Sequence, residues 1–128
     1  MIGFMHRKRN LLRLGELEEK LVVWVEKKGY RHPDATIGES ARRIGVDPHL
    51  LQRYFLDVKG VDFRSWRTRL RIEDARKELL EHPHLPVSEV GYRVGFSDRS
   101  NFIHQFTRLT GQTPRAYREK RLAPDIKG

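Results

Sequence analysis

The chain has 128 residues, 38% of them apolar, which is enough for one lean domain or two very small lobes sharing an element. It contains no cysteine, which excludes a disulfide framework and thiolate metal sites. Lys and Arg number 26 against 17 Asp and Glu, a formal net charge of +9, and that balance points to a polyanionic partner: nucleic acid first, an anionic membrane surface second.

The opening residues, MIGFM followed by HRKR, are too short and lack the cleavage pattern of a signal peptide. Two readings stay open for residues 1–12. They are a flexible start, or they adjoin an upstream domain or membrane helix whose positive flank is HRKR. No apolar run in the chain approaches the ~20 residues of a membrane span. Leu14, Leu17, Leu21, Trp24 and Val25 form the apolar face of a first helix, with Gly29 as its C-terminal stop. Glu16, Glu18, Glu19, Lys20, Lys27 and Lys28 make its solvated outer face.

Arg31 to Asp34 reads as a loop. Thr36 can cap a second helix, Ile37 to Ile44, and Glu39 suits a capping box. Gly45 breaks that helix and Val46 turns inward. Asp47 caps a third helix and Pro48 opens it, where a missing N–H costs nothing. This helix is expected to run to about Lys59, with Leu51, Phe55 and Val58 inward, and to end at Gly60. Ala41, Gly45 and Leu51 have helix-turn-helix spacing: a small residue for close approach, a glycine for the turn, and a branched residue to lock the second helix across the first.

The stretch from Asp62 to Glu81 is a strong helix with no internal Gly or Pro. Phe63, Trp66 and Leu70 form one apolar stripe and Ile72, Ala75 and Leu79 another. At about 100° per residue the two stripes point in directions roughly 180° apart. Such a helix is shared between two small cores, as a strut about 30 Å long.

His82 to Pro86 reads as a loop. Its two histidines lack a third ligand and an i,i+4 spacing, so neither a metal nor another cofactor is expected. The earlier pattern then returns. Gly91, Gly95, Phe96, Phe102 and Phe106 stand where Ala41, Gly45, Val46, Leu51 and Phe55 stood, at an offset of about 50 residues. Ser97 or Asp98 caps a second recognition candidate, Arg99 to Leu109, which Gly111 ends. Thr113 and Pro114 open a last helix through Arg121, and residues 122–128 read as a flexible tail.

At this point the segments GFSDRSNFIHQFTRLTGQTPRAYR (Gly95 to Arg118) and DPHLLQRYFLDVKGVDFRSWRTRLRIEDARKELLE (Asp47 to Glu81) together resemble the signature of the AraC/XylS family of bacterial transcription regulators, over about residues 12 to 120. The resemblance implies an all-α, seven-helix DNA-binding domain at residues 13–121. Its two helix-turn-helix lobes, 13–61 and 82–121, are joined by a shared central helix, 62–81. It further implies a cytoplasmic protein that binds double-stranded DNA sequence-specifically and regulates transcription, with its recognition helices in successive major grooves. RNA polymerase is an implied partner, as is an effector-sensing or oligomerising domain, commonly N-terminal to this one. Two departures stand out. Gly91 replaces the usual alanine, costing helix stability of about 1 kcal/mol, and Pro86 stands where a Ser or Thr cap is common.

On the first recognition helix His49, Gln52 and Arg53 lie on one outward face. Arg can hold guanine O6/N7 and Gln can hold adenine N6/N7; the residues alone allow equally that three polar groups face water, and the resemblance favours base contact. On the second, Arg99, Ser100, Ile103 and His104 face out. Ile103 suits either a thymine methyl or packing within the protein. Phosphate contacts are expected from Arg64, Arg67 and Arg71 along the strut, and from Arg108, Arg115 and Arg118. The helix N-termini at Ile37, Val87 and Arg115 offer free N–H groups. Some of these arginines must instead cover apolar surface or pair with Glu73 and Asp74.

Two other classes compete. An enzyme is not expected, because the chain has no phosphate loop and no Ser/His/Asp grouping that helical positions would bring together. A basic module that coats nucleic acid or an anionic membrane without sequence preference fits the charge, but not the duplicated helix-turn-helix pattern.

Overall fold

A computed structural model describes residues 2–124, with side chains from Arg13 onward. Among them are seven α-helices and no strand: α1 (Ile2–Glu26), α2 (Ile37–Ile44), α3 (Pro48–Tyr54), α4 (Phe63–Glu81), α5 (Val87–Val94), α6 (Arg99–Thr110) and α7 (Pro114–Leu122). The backbone of α1 is helical well before Leu14, since residues 4–14 contain no glycine or proline. Residues 2–12, expected as a flexible start, have a helical backbone, and most of the expected tail lies outside the described residues.

The chain divides into two compact units, and the division falls within α4. The first holds the residues up to Tyr30 with Asp34–Trp66; the second holds Arg31–Pro33 with the residues from Arg67 onward. Phe63 and Trp66 of the first apolar stripe fall in the first unit, while Leu70 of that stripe and the whole second stripe fall in the second.

Phe63 and Trp66 join an aromatic cluster in the first unit. Trp66 stacks on Trp24 at 6.0 Å between ring centroids and meets Phe55 at 4.8 Å, and Phe55 meets Phe63 edge-on at 5.3 Å. Leu17, Leu21, Ala41, Ile44 and Leu51 complete this core. Each large side chain removed from water here contributes about 1.5–3 kcal/mol. Trp66 itself is half-buried and lines a shallow apolar groove with Val22, Val25 and Tyr54.

Ile72, Ala75 and Leu79 lie in the core of the second unit with Val90, Val94, Phe96, Phe102, Phe106 and Tyr117. Arg31 is tied to the same unit: its guanidinium donates to both carboxylate oxygens of Asp74, at 2.7 and 2.9 Å, and to Glu78 at 3.0 Å. The hydrogen bonds to Asp74 hold the Arg31 pKa above its ordinary value, against the opposing effect of burial. Asp74 thus takes a partner from the loop after α1 that the sequence reading did not name.

Local capping follows the sequence. Thr36 Oγ1 accepts from Glu39 N–H at 3.2 Å, and Glu39 reaches back to accept from Ala35 N–H at 2.8 Å. Asp47, Asp98 and Thr113 cap α3, α6 and α7. Two expectations are corrected. The third helix does not continue regularly to Lys59: residues Phe55–Lys59 form a π-helical turn, whose wider winding rotates Val58 outward to 55% exposure while Tyr54 is buried. Nor does Gly29 stop α1 through a left-handed backbone. The helix ends at Glu26, the positive φ (55°) falls on Lys28, and Gly29 lies against the Trp24 ring where a Cβ would collide.

Candidate nucleic-acid interface

Both helix-turn-helix units are built the same way. Gly45 adopts φ 89° and its N–H returns to Ala41 O; Gly95 adopts φ 119° and its N–H returns to Gly91 O and Tyr92 O. An L side chain is strained at these angles, so glycine permits the chain to reverse before the next helix. Asp47 then accepts from the N–H groups of His49 and Leu50, and Asp98 accepts from Asn101 N–H. Each aspartate fixes the first turn of the helix that follows.

Leu51 in α3 and Phe55 just after it are fully buried, which turns His49, Gln52 and Arg53 to solvent. Two depressions flank this helix. The first, about 560 Å³, is lined by His49 and Arg53 of α3 and by Arg13, Glu16 and Lys20 of α1. The second, about 410 Å³, brings Gln52 together with Thr36 and Ile37 at the start of α2 and with Arg64. Arg64 is exposed and anchored by a 2.7 Å bond to Ala35 O, beside the open N–H groups of α2. Arg13 and Lys20 were not among the sequence-based candidates, although Arg13, Glu16 and Lys20 recur at i, i+3 and i+7 and so share one face of α1.

In α6, Phe102 and Phe106 are buried and Arg99, Ser100 and His104 are exposed. Ile103 is half-buried and packs against the core of the second unit. Of its two readings, packing is therefore satisfied within the protein. Arg108 is exposed and held by Gln105 through two hydrogen bonds, at 3.1 and 2.8 Å. Pro86 occupies the N-cap of α5 and supplies no side-chain hydrogen bond.

Three of the expected phosphate contacts are corrected. Arg71 is 6% exposed, donates to His32 O at 2.7 Å and lies over the Phe96 ring at 5.8 Å. Arg67, one turn earlier, is 5% exposed. A stripe between two apolar faces has packed residues on both sides, so its middle is covered and only Arg64, near the helix start, stays at the surface. Arg118 spends its guanidinium on Leu79 O, Leu85 O and His82 O, closing the end of α4 and the loop after it, and burial lowers its pKa. Arg115 remains exposed, paired with Glu119 at 3.0 Å on the surface.

Glu78, Glu81 and His82 bring one ligand atom each to within 4.8 Å of one another. Glu78 already faces Arg31 at 3.0 Å and Arg93 at 3.3 Å, so a cation there would compete with two guanidinium groups. Among the described residues no helix is long and apolar enough to cross a membrane.

A family model described as a helix-turn-helix domain matches residues 40–120. The chain belongs to the AraC/XylS family. It is 36% identical over 80 residues to the HTH-type transcriptional regulator GlxA of Rhizobium meliloti, covering 62% of this chain and 24% of that protein. The chain thus spans about a quarter of the length of that relative. Among solved structures it is similar to the C-terminal domain of AraT, a response regulator from Geobacillus stearothermophilus, with TM-score 0.72, 26% identity, and 88% and 91% of the two chains covered. The DNA-binding domain of AdpA, a global transcriptional factor solved in complex with a target DNA, matches with TM-score 0.70 and 26% identity over 88% of this chain and 97% of that one. The seven-helix, double helix-turn-helix arrangement is thus the family's own.

Proposed function

We propose that the chain binds double-stranded DNA sequence-specifically and regulates transcription from that site, with α3 and α6 each entering a major groove. The observation that carries this reading is the repeated turn. Twice a left-handed glycine leads into an aspartate-capped helix that buries its aromatic or branched residues and presents a polar face to solvent. In a chain of net charge +9, such faces suit base edges flanked by phosphates. His49, Gln52 and Arg53 read one block of bases, and Arg99, Ser100 and His104 the other. Arg64, Arg108 and Arg115 contact phosphates.

Successive major-groove faces on one side of a duplex lie 34–36 Å apart. One chain would then read two different blocks centred about 10–11 base pairs apart. The reading extends to a cytoplasmic protein acting with RNA polymerase and with an effector-sensing or oligomerising domain. Selection from random-sequence duplexes, followed by footprinting with base pairs inserted between the blocks, tests it. An asymmetric site is expected, and an insertion of about five base pairs, half a helical turn, should abolish contact at one block. A chain that selects no sequence above the bulk is a nonspecific coat. A palindrome bound only by a dimer removes the two-groove reading.

A further inference from the structure

We infer that the cleft between α1 and the start of α3 is a second DNA-phosphate site, in which Arg13 and Lys20 grip the strand on the flank of α3 opposite Arg64. This inference rests on the DNA-binding reading above.

An α-helix with its side chains is about 10–12 Å across, and the major groove is about 12 Å wide. A recognition helix seated there has one phosphate strand along each flank. Arg64 and the N–H groups at the start of α2 serve the flank lined by Gln52. On the other flank, the cleft shared with His49 and Arg53 is lined from α1 by Arg13 and Lys20. Lys20 is pinned at the turn, its Nζ donating to Gly45 O at 2.9 Å, and an ammonium keeps two further donors. Arg13 is exposed and, among the described residues, has no ion pair. Of the two acids in the cleft, Asp47 turns one carboxylate oxygen to the first N–H groups of α3, whose helix dipole partly offsets its charge. Glu16 is then outweighed by Arg13 and Lys20, Arg53 being paired with Asp57 at 3.6 Å. The cleft therefore has the chemistry of a backbone phosphate site and carries no sequence preference of its own.

The test compares the chain with its Arg13→Ala and Arg13→Lys variants on two probes, a random-sequence duplex and the tightest duplex from selection, across a salt series. Losing one phosphate contact should lower the slope of log K against log salt by about 0.9 and weaken both probes about fivefold near 0.15 M salt. Arg13→Lys should keep the slope, and the selected sequence should not change. Lys20→Met should lower the slope likewise, with melting followed alongside because Lys20 also braces the turn. If the unmodified chain binds with a steep salt dependence and Arg13→Ala matches it, the cleft assignment fails while DNA binding stands. A changed base preference in Arg13→Ala would also overturn it. An unmodified chain whose binding ignores salt would remove the DNA reading itself.

Discussion

The ring of Phe102 fills the space that a side chain on Gly91 would need: a Cβ there would sit 2.6 Å from Phe102 Cδ2 and 2.7 Å from Cγ. The first unit has Ala41 and Leu51 at the matching positions, so the two helix-turn-helix units exchange a small residue and a larger one against each other. What the sequence alone presents as a costly departure is the complement of a bulky partner.

Gly91→Ala should therefore destabilise the protein, although alanine favours the helix by about 1 kcal/mol. Overpacking of a close-fitting site costs about 1–3 kcal/mol, and the neighbour here is a fully buried ring with little room to move. Urea denaturation of Gly91→Ala, Phe102→Leu and the double variant should reveal favourable coupling, with the double variant more stable than the two single losses add up to. Additive losses would show that the ring and the glycine do not constrain each other.

Arg31→Ala should cost about 3 kcal/mol. It removes the forked contact to Asp74 and the 3.0 Å contact to Glu78, both residues being 6% exposed, and breaking a buried pair costs about 3–5 kcal/mol. The lower end applies because the Arg31 side chain is 24% exposed and Arg93 stays 3.3 Å from Glu78. Thermal melting checks this, and Arg31→Lys should recover only part of the loss, since an ammonium cannot make the forked contact.

Asp62 should give the helix α4 an acid-sensitive start. Its carboxylate accepts from Ser65 N–H at 2.7 Å, and chiefly that bond holds its pKa below the ordinary value, with burial acting the other way. A lowered pKa in the folded state means a contribution present above the unfolded value and lost as pH falls through the folded one. Asp62→Ala should thus cost about 1 kcal/mol near neutrality and progressively less below about pH 4. Asp62→Asn should keep most of the cap without that pH dependence. A loss that does not shrink in acid would exclude the charged cap.

The arginines should separate by what they do. Arg53→Ala should cost about 1–3 kcal/mol in DNA affinity and relax the preference at one or two base pairs, with little change in melting. Arg64→Ala should weaken all sequences about equally and reduce the salt slope by about 1. Arg71→Ala should instead lower the melting temperature, since its guanidinium holds His32 O and covers Phe96. A stable Arg71→Ala protein with a reduced salt slope would return that residue to the phosphate set.

By itself the sequence determined the elements whose causes are local. Asp47, Asp98 and Thr113 cap the helices they precede because a side-chain oxygen needs only the N–H groups two or three residues on. Helix periodicity turned Leu51, Phe55, Phe102 and Phe106 inward and so exposed His49, Gln52 and Arg53. The repeat of that pattern, with Phe63 and Ile72 on opposite faces of one helix, carried the double helix-turn-helix arrangement. Tertiary structure decided what depends on neighbours distant in sequence. Whether an arginine on α4 meets solvent turned on what covers it, and Phe96 and the carbonyl of His32 take up Arg71 while the end of α4 takes up Arg118. The π turn that carries Val58 outward is not written in the helical period, which assumes regular winding as far as Lys59. Lys20 read as part of a solvated face and Arg13 was not singled out until α1 lay beside α3, since a helical period records which residues share a face and not what that face adjoins.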